Sequence, residues 1–162
     1  GPQIHDAHSK RAEAAGEDSL RISRSVCPMT ESLATQLVSE FAATLDAEDY
    51  ARTRVCLTEN CVYQSPDGER VGPDAILASY RGNGDKAQQL FDSVEYEHNV
   101  TPLDGNWFQI LFIDRLRVGD LSHEFRCHQR VRVENNLIVE IVHEEIPGRR
   151  EELNQFLESI SD

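Results

Sequence analysis

The stretch from Phe125 to Ile146 constrains the fold of this chain more than any other segment. Its sequence, FRCHQRVRVENNLIVEIVHEEI, predicts two β-strands joined by a turn at the Asn-Asn pair. Because successive side chains of a strand point to opposite faces of a sheet, one residue more or less in the turn flips one strand over. The length of the turn therefore decides which side chains face the core.

Two turn lengths are compatible with this stretch. A two-residue turn at Asn135-Asn136 would place arginines on the face of Val139, Ile141 and His143, and so bury cations beside aliphatic side chains. Opposite charges that face each other across strands stabilise a sheet by about 0.2–1 kcal/mol per pair. The charges thus favour a three-residue turn, Glu134 to Asn136, which gives the pairs Val133–Leu137, Val131–Val139, Gln129–Ile141, Cys127–His143, Arg130–Glu140 and Arg126–Glu144.

One face of this predicted hairpin is mostly apolar but carries four polar or reactive side chains. They are Cys127, Gln129, His143 and Glu145. An apolar wall with a few polar groups is typical of a small-molecule pocket. We therefore expect His143 to face a cavity, across from Cys127.

Composition limits the classes of function. The chain has 162 residues, enough for one domain, and 39% of them are hydrophobic, which is typical of a globular protein. With 16 Lys and Arg against 29 Asp and Glu, the net charge of −13 argues against a nucleic-acid surface. No apolar run approaches the roughly 18 residues of a membrane span, and four cysteines without a CxxC spacing predict reduced thiols in a cytoplasmic protein.

The chain divides into a polar leader and one domain. Gly1-Pro2 is typical of the remnant of a cleaved tag, and residues 1–28 show no sustained hydrophobic period, so we interpret them as an extension. Residues 29–162 are predicted to form a single domain. Its helices and strands are predicted as follows: a helix capped by Thr30, a short helix capped by Asp46, a strand at 61–65, a helix from Gly72 to Tyr80 ended by Gly82-Asn83-Gly84, strands at 94–100 and 107–118, the hairpin, and a terminal helix at 153–160.

The run TENCVYQSPDGERVGPDAILASYRG, followed by a β-meander and ENNLIVEIVHEEIPG, resembles the nuclear transport factor 2-like superfamily. The similarity is to its SnoaL-like branch, which includes polyketide cyclases and ketosteroid isomerase-like proteins, and it covers roughly residues 31–148. It implies an α+β fold in which a cone-shaped, curved antiparallel sheet packs around N-terminal helices and encloses an apolar pocket. Many members of this superfamily dimerise through the outer face of the sheet.

The resemblance does not fix an activity, because this fold carries isomerases, cyclases, dehydratases, epoxide hydrolases and non-catalytic modules. Ketosteroid isomerase-like members carry a general-base Asp before the proline of the first turn, where this chain has Ser65. SnoaL-like cyclases often carry an Asp in the last strand, at the position of His143 here. A histidine can transfer the same proton near neutral pH.

The strand at 107–118 adds a carboxylate to the predicted pocket. Its more apolar face carries Phe108, Ile110, Phe112, Asp114 and Leu116, so Asp114 is expected to point inward. We predict His143 and Asp114 as catalytic residues, and as ligand-binding residues His98, Tyr96, Tyr63, Gln129, Phe112 and Cys127. No residues show the spacing of a metal site, and no cofactor is expected.

Three interpretations of these residues stay open. His143 and His98 could be buried and hydrogen-bonded for structural reasons, with Asp114 paired to Arg115, Arg117 or a backbone amide. They could carry acid–base chemistry of the isomerase, cyclase or dehydratase type, or line a polar binding pocket without chemistry. The leading hypothesis is a protein that binds a small, largely apolar molecule, with no nucleic-acid or membrane partner.

An alternative function is a non-catalytic assembly module that works through the outer sheet face. That face is predicted to hold Ile138, Val142, Trp107, Leu111 and Ile113. Contiguous apolar surface on a soluble chain usually marks association. We therefore expect a homodimer through this face.

Overall fold

The structure, a computed structural model, describes residues 32–161. The predicted extension 1–28 and the predicted cap Thr30 lie outside these residues, so the domain boundary at residue 29 stays a prediction. The helices and strands are α1 Leu33–Asp46, α2 Tyr50–Arg54, β1 Leu57–Ser65, β2 Gly68–Val71, α3 Pro73–Leu90, β3 Ser93–Pro102, β4 Trp107–Val118, β5 Leu121–Glu134, β6 Leu137–Glu145 and α4 Arg149–Ile160.

The strands form one curved, open sheet in the order β2-β1-β6-β5-β4-β3. Neighbouring strands run antiparallel except β1 and β6, which are parallel. The sheet is therefore mixed, and the expectation of a wholly antiparallel sheet is corrected at this one pair. The predicted α+β class, with helices at the N-terminal end of the domain and a C-terminal helix, is confirmed.

The predicted register of the β5–β6 hairpin is wrong. Glu134 pairs with Leu137, so the turn contains two residues, Asn135 and Asn136, with φ of 51° and 60°. Both residues of such a turn need positive φ, which asparagine tolerates better than most side chains. Beyond the turn, Val139 is an extra residue that forms a bulge between the pairs Val133–Ile138 and Arg132–Glu140.

Because of the bulge, the β6 residues after Val139 face the sides of the sheet that were predicted. Each of them, however, pairs with a β5 residue two positions away from the predicted one. His143 pairs with Gln129 and not with Cys127, and Cys127 pairs with Glu145. The cross-strand charges shift as well, so the ion pairs are Arg132–Glu140 and Arg130–Glu144. Ile138, predicted on the outer face, is fully buried in the core together with Ile141, because the bulge lets two residues three apart point the same way.

Two helix predictions are also corrected. Asp49, and not Asp46, caps α2 by accepting a hydrogen bond from the backbone of Arg52 at 3.4 Å. Helix α3 does not end at the glycines but runs from Pro73 to Leu90. Gly84 is buried against side chains from the start of α2 and the turn before it: a Cβ atom there would lie 2.7 Å from Glu48 Oε2 and 3.3 Å from the Tyr50 hydroxyl. The glycine therefore leaves room for these side chains instead of ending α3.

The core lies between α1 and the inner face of the sheet. Its fully buried side chains include Val38, Phe41, Ile110, Val131 and Ile141. A second cluster joins α4 to β3 and β4 through Val94, Leu116 and Phe156. None of the described helices combines the length and the apolar composition needed to cross a bilayer. Between the two clusters the inner face of the sheet is left partly uncovered.

Candidate functional site

A cavity of about 690 Å³ occupies this uncovered part of the inner face. Its walls come from the sheet, the end of α1, helix α3 and helix α4, and its size suits a small organic molecule. Most of the predicted site residues line it: Tyr63, Tyr96, Phe112, Asp114, Cys127, Gln129 and His143. The sheet thus brings these side chains to one cavity, as the alternation of the strands predicts.

His143 belongs to a chain of hydrogen bonds along the wall. The Gln129 side-chain nitrogen lies 3.3 Å from His143 Nδ1, and the hydroxyl of Tyr80 donates to Gln129 Oε1 at 2.6 Å. On the other side of the ring, Nε2 lies 3.0 Å from Glu145 Oε2. If the imidazole is neutral, its proton sits on Nε2 and points to the carboxylate, while Nδ1 accepts from the amide.

Glu145 connects this series of hydrogen bonds to helix α4. Arg150 donates to both carboxylate oxygens, at 2.9 and 3.1 Å. The hydrogen bond from Arg150 lowers the pKa of Glu145 to about 2, against partial burial, and His143 adds to the lowering. Glu145 is therefore ionised at neutral pH and holds the imidazole in place.

The carboxylate that orients His143 is Glu145 and not Asp114. Asp114 pairs with Phe125 on β5, four residues from Gln129, which pairs with His143 on β6. At about 3.3 Å per residue and about 4.8 Å per strand, their Cα atoms lie about 13 Å apart along the sheet and about 10 Å apart across it. His143 and Asp114 are therefore separate positions on the cavity wall.

Asp114 is a carboxyl group of the cavity wall whose pKa is strongly perturbed by its surroundings. No residue between 32 and 161 forms a hydrogen bond or ion pair with its side chain, so neither Arg115 nor Arg117 neutralises it. Burial raises the pKa of Asp114 to about 7, and the negative charge of Asp46 raises it further. A carboxyl with such a pKa can both donate and accept a proton at neutral pH.

Asp46, the last residue of α1, forms a buried pair with His98. Asp46 Oδ2 lies 2.7 Å from His98 Nδ1, and both side chains are buried. Asp46 lines the cavity, whereas His98 lies behind it and is not part of the wall. His98 would therefore act on a ligand through Asp46. The sequence conceals this role, since an Asp at the end of a helical stripe also fits a helix cap.

The phenols and the thiol of the wall stay protonated at neutral pH. Burial raises the pKa of Tyr63 to about 12 and that of Tyr50 to about 12. Burial and the nearby charge of Asp114 raise the pKa of Tyr96, which faces Asp114 across the β3–β4 ladder, and that of Cys127. Tyr63 and Tyr96 can thus donate hydrogen bonds, while the Cys127 thiol is a poor nucleophile.

Within residues 32–161, no group of three or more His, Cys, Asp and Glu is arranged to hold a metal ion. Residues that the sequence did not assign to the site also line the cavity, among them Tyr80, Arg150, Arg70 and Asp46, which was predicted as a helix cap. Glu145 was expected on the same face as His143, but its contact with His143 was not predicted. Tyr80 and Arg150 lie on helices whose facing depends on the tertiary fold.

No protein-family model matches the chain, and no curated protein matches it. Solved structures do. A nuclear transport factor 2-like protein of unknown function from Burkholderia pseudomallei superposes with a TM-score of 0.60 at 17% identity, covering 76% of this chain and 96% of that one. This chain has the nuclear transport factor 2-like fold.

Two other solved structures are also similar to this chain. An LEH-like epoxide hydrolase from M. tuberculosis matches with a TM-score of 0.56 at 18% identity, over 79% of this chain and 94% of that one. TerC, co-crystallised with polyporic acid, matches with a TM-score of 0.62 at 7% identity, over 78% and 99%. Identities this low establish the fold alone, so the function has to come from the site.

Proposed function

We propose that this protein binds a small, largely apolar molecule in the cavity and transfers a proton to or from it through Asp114. One observation carries the proposal. Asp114 is a carboxyl group that faces the cavity, has no partner among residues 32–161 and has a pKa raised to about 7. A structural carboxylate would be paired, since an unpaired buried charge destabilises a fold.

The neighbours of Asp114 support a role in acid–base chemistry. The charge of Asp46 opposes ionisation of Asp114, and His98 holds Asp46 in place. Neutral Asp114 can donate its proton to a carbonyl or hydroxyl oxygen of the ligand, and the carboxylate that results can take a proton from an adjacent carbon. Isomerases, cyclases and dehydratases need such a transfer, which contributes about 10²–10⁴-fold to a rate. Tyr96, on the paired strand, supplies a further hydrogen-bond donor.

His143 has a positioning role in this proposal. Its two nitrogens are engaged by Gln129 and Glu145, so the ring can act as a base only after Gln129 releases Nδ1. The hydrogen bonds from Tyr80 to Arg150 fix a part of the wall that is separate from Asp114. A His143→Ala variant should weaken ligand binding while the fold survives.

Native mass spectrometry of the purified protein, which identifies a co-purified ligand, comes first. Turnover of that ligand is then compared among the wild type, Asp114→Asn and the exposed control Asp120→Asn. Asp114→Asn should lose turnover by at least 100-fold and keep binding. Full activity in Asp114→Asn would contradict the catalytic role; equal loss in Asp120→Asn would show that the effect is not specific to the site.

A homodimer through the outer face of β3–β6 is a second proposal. Trp107 lies on this face beside Arg130 and Arg132, whose guanidinium carbons are 5.3 and 5.9 Å from its ring. The large hydrophobic side chains that the described residues expose lie elsewhere, for example Val55 and Leu103. Ion pairs cover much of the face, so an assembly module is the weaker of the two functions. Light scattering that gives a monomer mass at tens of micromolar would contradict the dimer.

A further inference from the structure

Of the two arginines that line the cavity, Arg70 is the one without an ion pair to a described residue. It lies on β2, is half-buried and lines the cavity. Within residues 32–161 its side chain forms no ion pair, hydrogen bond or ring contact. The other arginines of that range each have such a partner; Arg150, which also lines the cavity, is held by Glu145 in two hydrogen bonds.

Arg70 lies next to a phenol. It faces Tyr63 across the β1–β2 ladder, and its positive charge opposes the rise that burial causes in the pKa of Tyr63. Tyr63 is buried, lines the same cavity and stays protonated at neutral pH. Arg70 and Tyr63 thus line the cavity from paired positions of neighbouring strands, and both side chains are hydrogen-bond donors.

The other charges near this corner leave room for an anion. Glu145 is saturated by Arg150 and His143. Asp67, in the turn before β2, also lines the cavity and helps to raise the pKa of Tyr63, but it forms no ion pair with Arg70. Lys86 also lines the cavity, but its side chain is exposed to solvent on α3. Arg70 is thus the half-buried cation whose charge a ligand would neutralise.

Arg70 and Asp114 lie toward different ends of the cavity. Arg70 is on β2 and Asp114 on β4, so β1, β6 and β5, which carries Cys127, lie between them in the sheet. A second anion near Asp114 would be repelled by Asp46. The anionic part of a ligand is therefore favoured at Arg70, with the reacting part toward Asp114.

From this arrangement we infer that Arg70 and Tyr63 receive an anionic oxygen group of the ligand, such as a carboxylate or an ionised enol. The inference rests on the proposed binding function and adds the chemical class of the ligand, an apolar molecule with one anionic oxygen group. Charge-assisted hydrogen bonds to a half-buried guanidinium are strong enough to select such a molecule over its neutral analogue.

Two fluorescent probes of similar shape test it. The anion 1-anilinonaphthalene-8-sulfonate and its neutral analogue N-phenyl-1-naphthylamine are titrated into the wild type, Arg70→Gln and Arg117→Gln. Arg117 is an exposed arginine of β4 outside the cavity and serves as the matched control. Arg70→Gln should weaken binding of the sulfonate about 10- to 100-fold and change binding of the neutral probe less than about twofold. Arg117→Gln should change neither.

Each outcome separates the two proposals. Competition between the probes on the wild type shows that they share the cavity; if the neutral probe does not bind at all, the binding function fails and this inference fails with it. If the neutral probe binds but Arg70→Gln leaves sulfonate binding unchanged, or Arg117→Gln weakens it equally, only the role of Arg70 is overturned. Circular dichroism checks that each variant folds. If Arg70→Gln does not fold, Arg70→Lys takes its place. Because Arg70→Lys keeps the charge but not the fork of donors, it should keep only part of the wild-type affinity for the sulfonate.

Discussion

Gln129 and His143 face each other across the β5–β6 ladder, with the side-chain nitrogen of Gln129 3.3 Å from Nδ1 of the imidazole. The same amide accepts a hydrogen bond from Tyr80 on α3. One buried side chain thus links a helix and two strands, and it sets which nitrogen of His143 carries the proton. Structural and functional roles of this network can be separated only by substitution.

Replacing Gln129 by Leu leaves the Tyr80 hydroxyl and His143 Nδ1 without partners. Each unsatisfied buried group costs about 1–3 kcal/mol, so Gln129→Leu should lower the free energy of unfolding by about 2–6 kcal/mol. Urea unfolding followed by Trp107 fluorescence measures this loss. In a Tyr80→Phe background the loss should be smaller, because there is then no Tyr80 hydroxyl to lose its partner.

The matched control is Gln109→Leu, the same change on the outer face of β4. Gln109 is half-exposed and has no hydrogen bond to a described side chain, so its replacement should change stability by less than about 0.5 kcal/mol. Equal losses of unfolding free energy in Gln129→Leu and Gln109→Leu would mean that the hydrogen bonds of Gln129 contribute nothing to stability.

Gly82 and Gly84 of α3 should respond differently to alanine. A Cβ at Gly82 meets nothing within 4 Å, so Gly82→Ala should stabilise the protein by about 1 kcal/mol through helix propensity. At Gly84 the new Cβ would lie 2.7 Å from Glu48 Oε2 and 3.3 Å from the Tyr50 hydroxyl. Glu48 must then swing away and give up its 3.0 Å hydrogen bond with Gln88. Gly84→Ala should therefore gain less than Gly82→Ala, or lose stability, in urea unfolding; equal gains would contradict the close packing.

The faces of the strands could be predicted from the sequence, but the partners could not. Alternation places Asp114, Gln129 and His143 on the inner face as long as any shift of the register is an even number of residues. The cross-strand charges could not fix the turn, because Arg130 finds Glu144 and Arg132 finds Glu140 once Val139 bulges out. A bulge leaves no mark in hydrophobic periodicity beyond two core isoleucines three apart, Ile138 and Ile141.

The contacts of the candidate site depend on how helices sit on the sheet. Asp46 meets His98, which is 52 residues away in the chain, and Tyr80 meets Gln129, 49 residues away. Neither spacing has a local signature, so the sequence could suggest the side chains of the wall but not their partners. The glycines of α3 mislead for the same reason: Gly84 serves a tertiary contact, which local helix propensity does not contain.

The raised pKa of Asp114 predicts how stability depends on pH. Folding raises this pKa from an ordinary value of 3.8 to about 7, so the folded state binds the proton more tightly than the unfolded state. The contribution of Asp114 to stability is then fully present below about pH 4 and lost as pH rises to about 7. Asp114→Asn cannot ionise at this position. Its free energy of unfolding should therefore increase relative to that of the wild type by about 1 kcal/mol per pH unit across this window.

Urea unfolding of both proteins at pH 5, 6, 7 and 8 checks this expectation. The difference between their unfolding free energies should grow from pH 5 to pH 7 and then level off. Asp120→Asn, at an exposed turn, controls for the loss of a carboxylate. Parallel pH profiles for the wild type and Asp114→Asn would show that Asp114 ionises at the same pH in the folded and unfolded chains.

The charge of Asp46 should raise the pKa of Asp114 directly. Replacing Asp46 by Asn removes the like charge that helps to raise the pKa of Asp114, while the amide oxygen can still accept from His98. The pKa of Asp114 should fall but stay above 3.8, because burial is the larger cause of the rise. Carbon NMR of protein labelled at its aspartate carboxyls follows the titration, with the signal of Asp114 assigned by its absence in Asp114→Asn. Turnover of an identified ligand should shift its acid–base profile toward lower pH in step with that signal. An unchanged titration in Asp46→Asn would mean that the two carboxyls do not interact, and burial alone would then have to account for the proton that Asp114 holds near neutral pH.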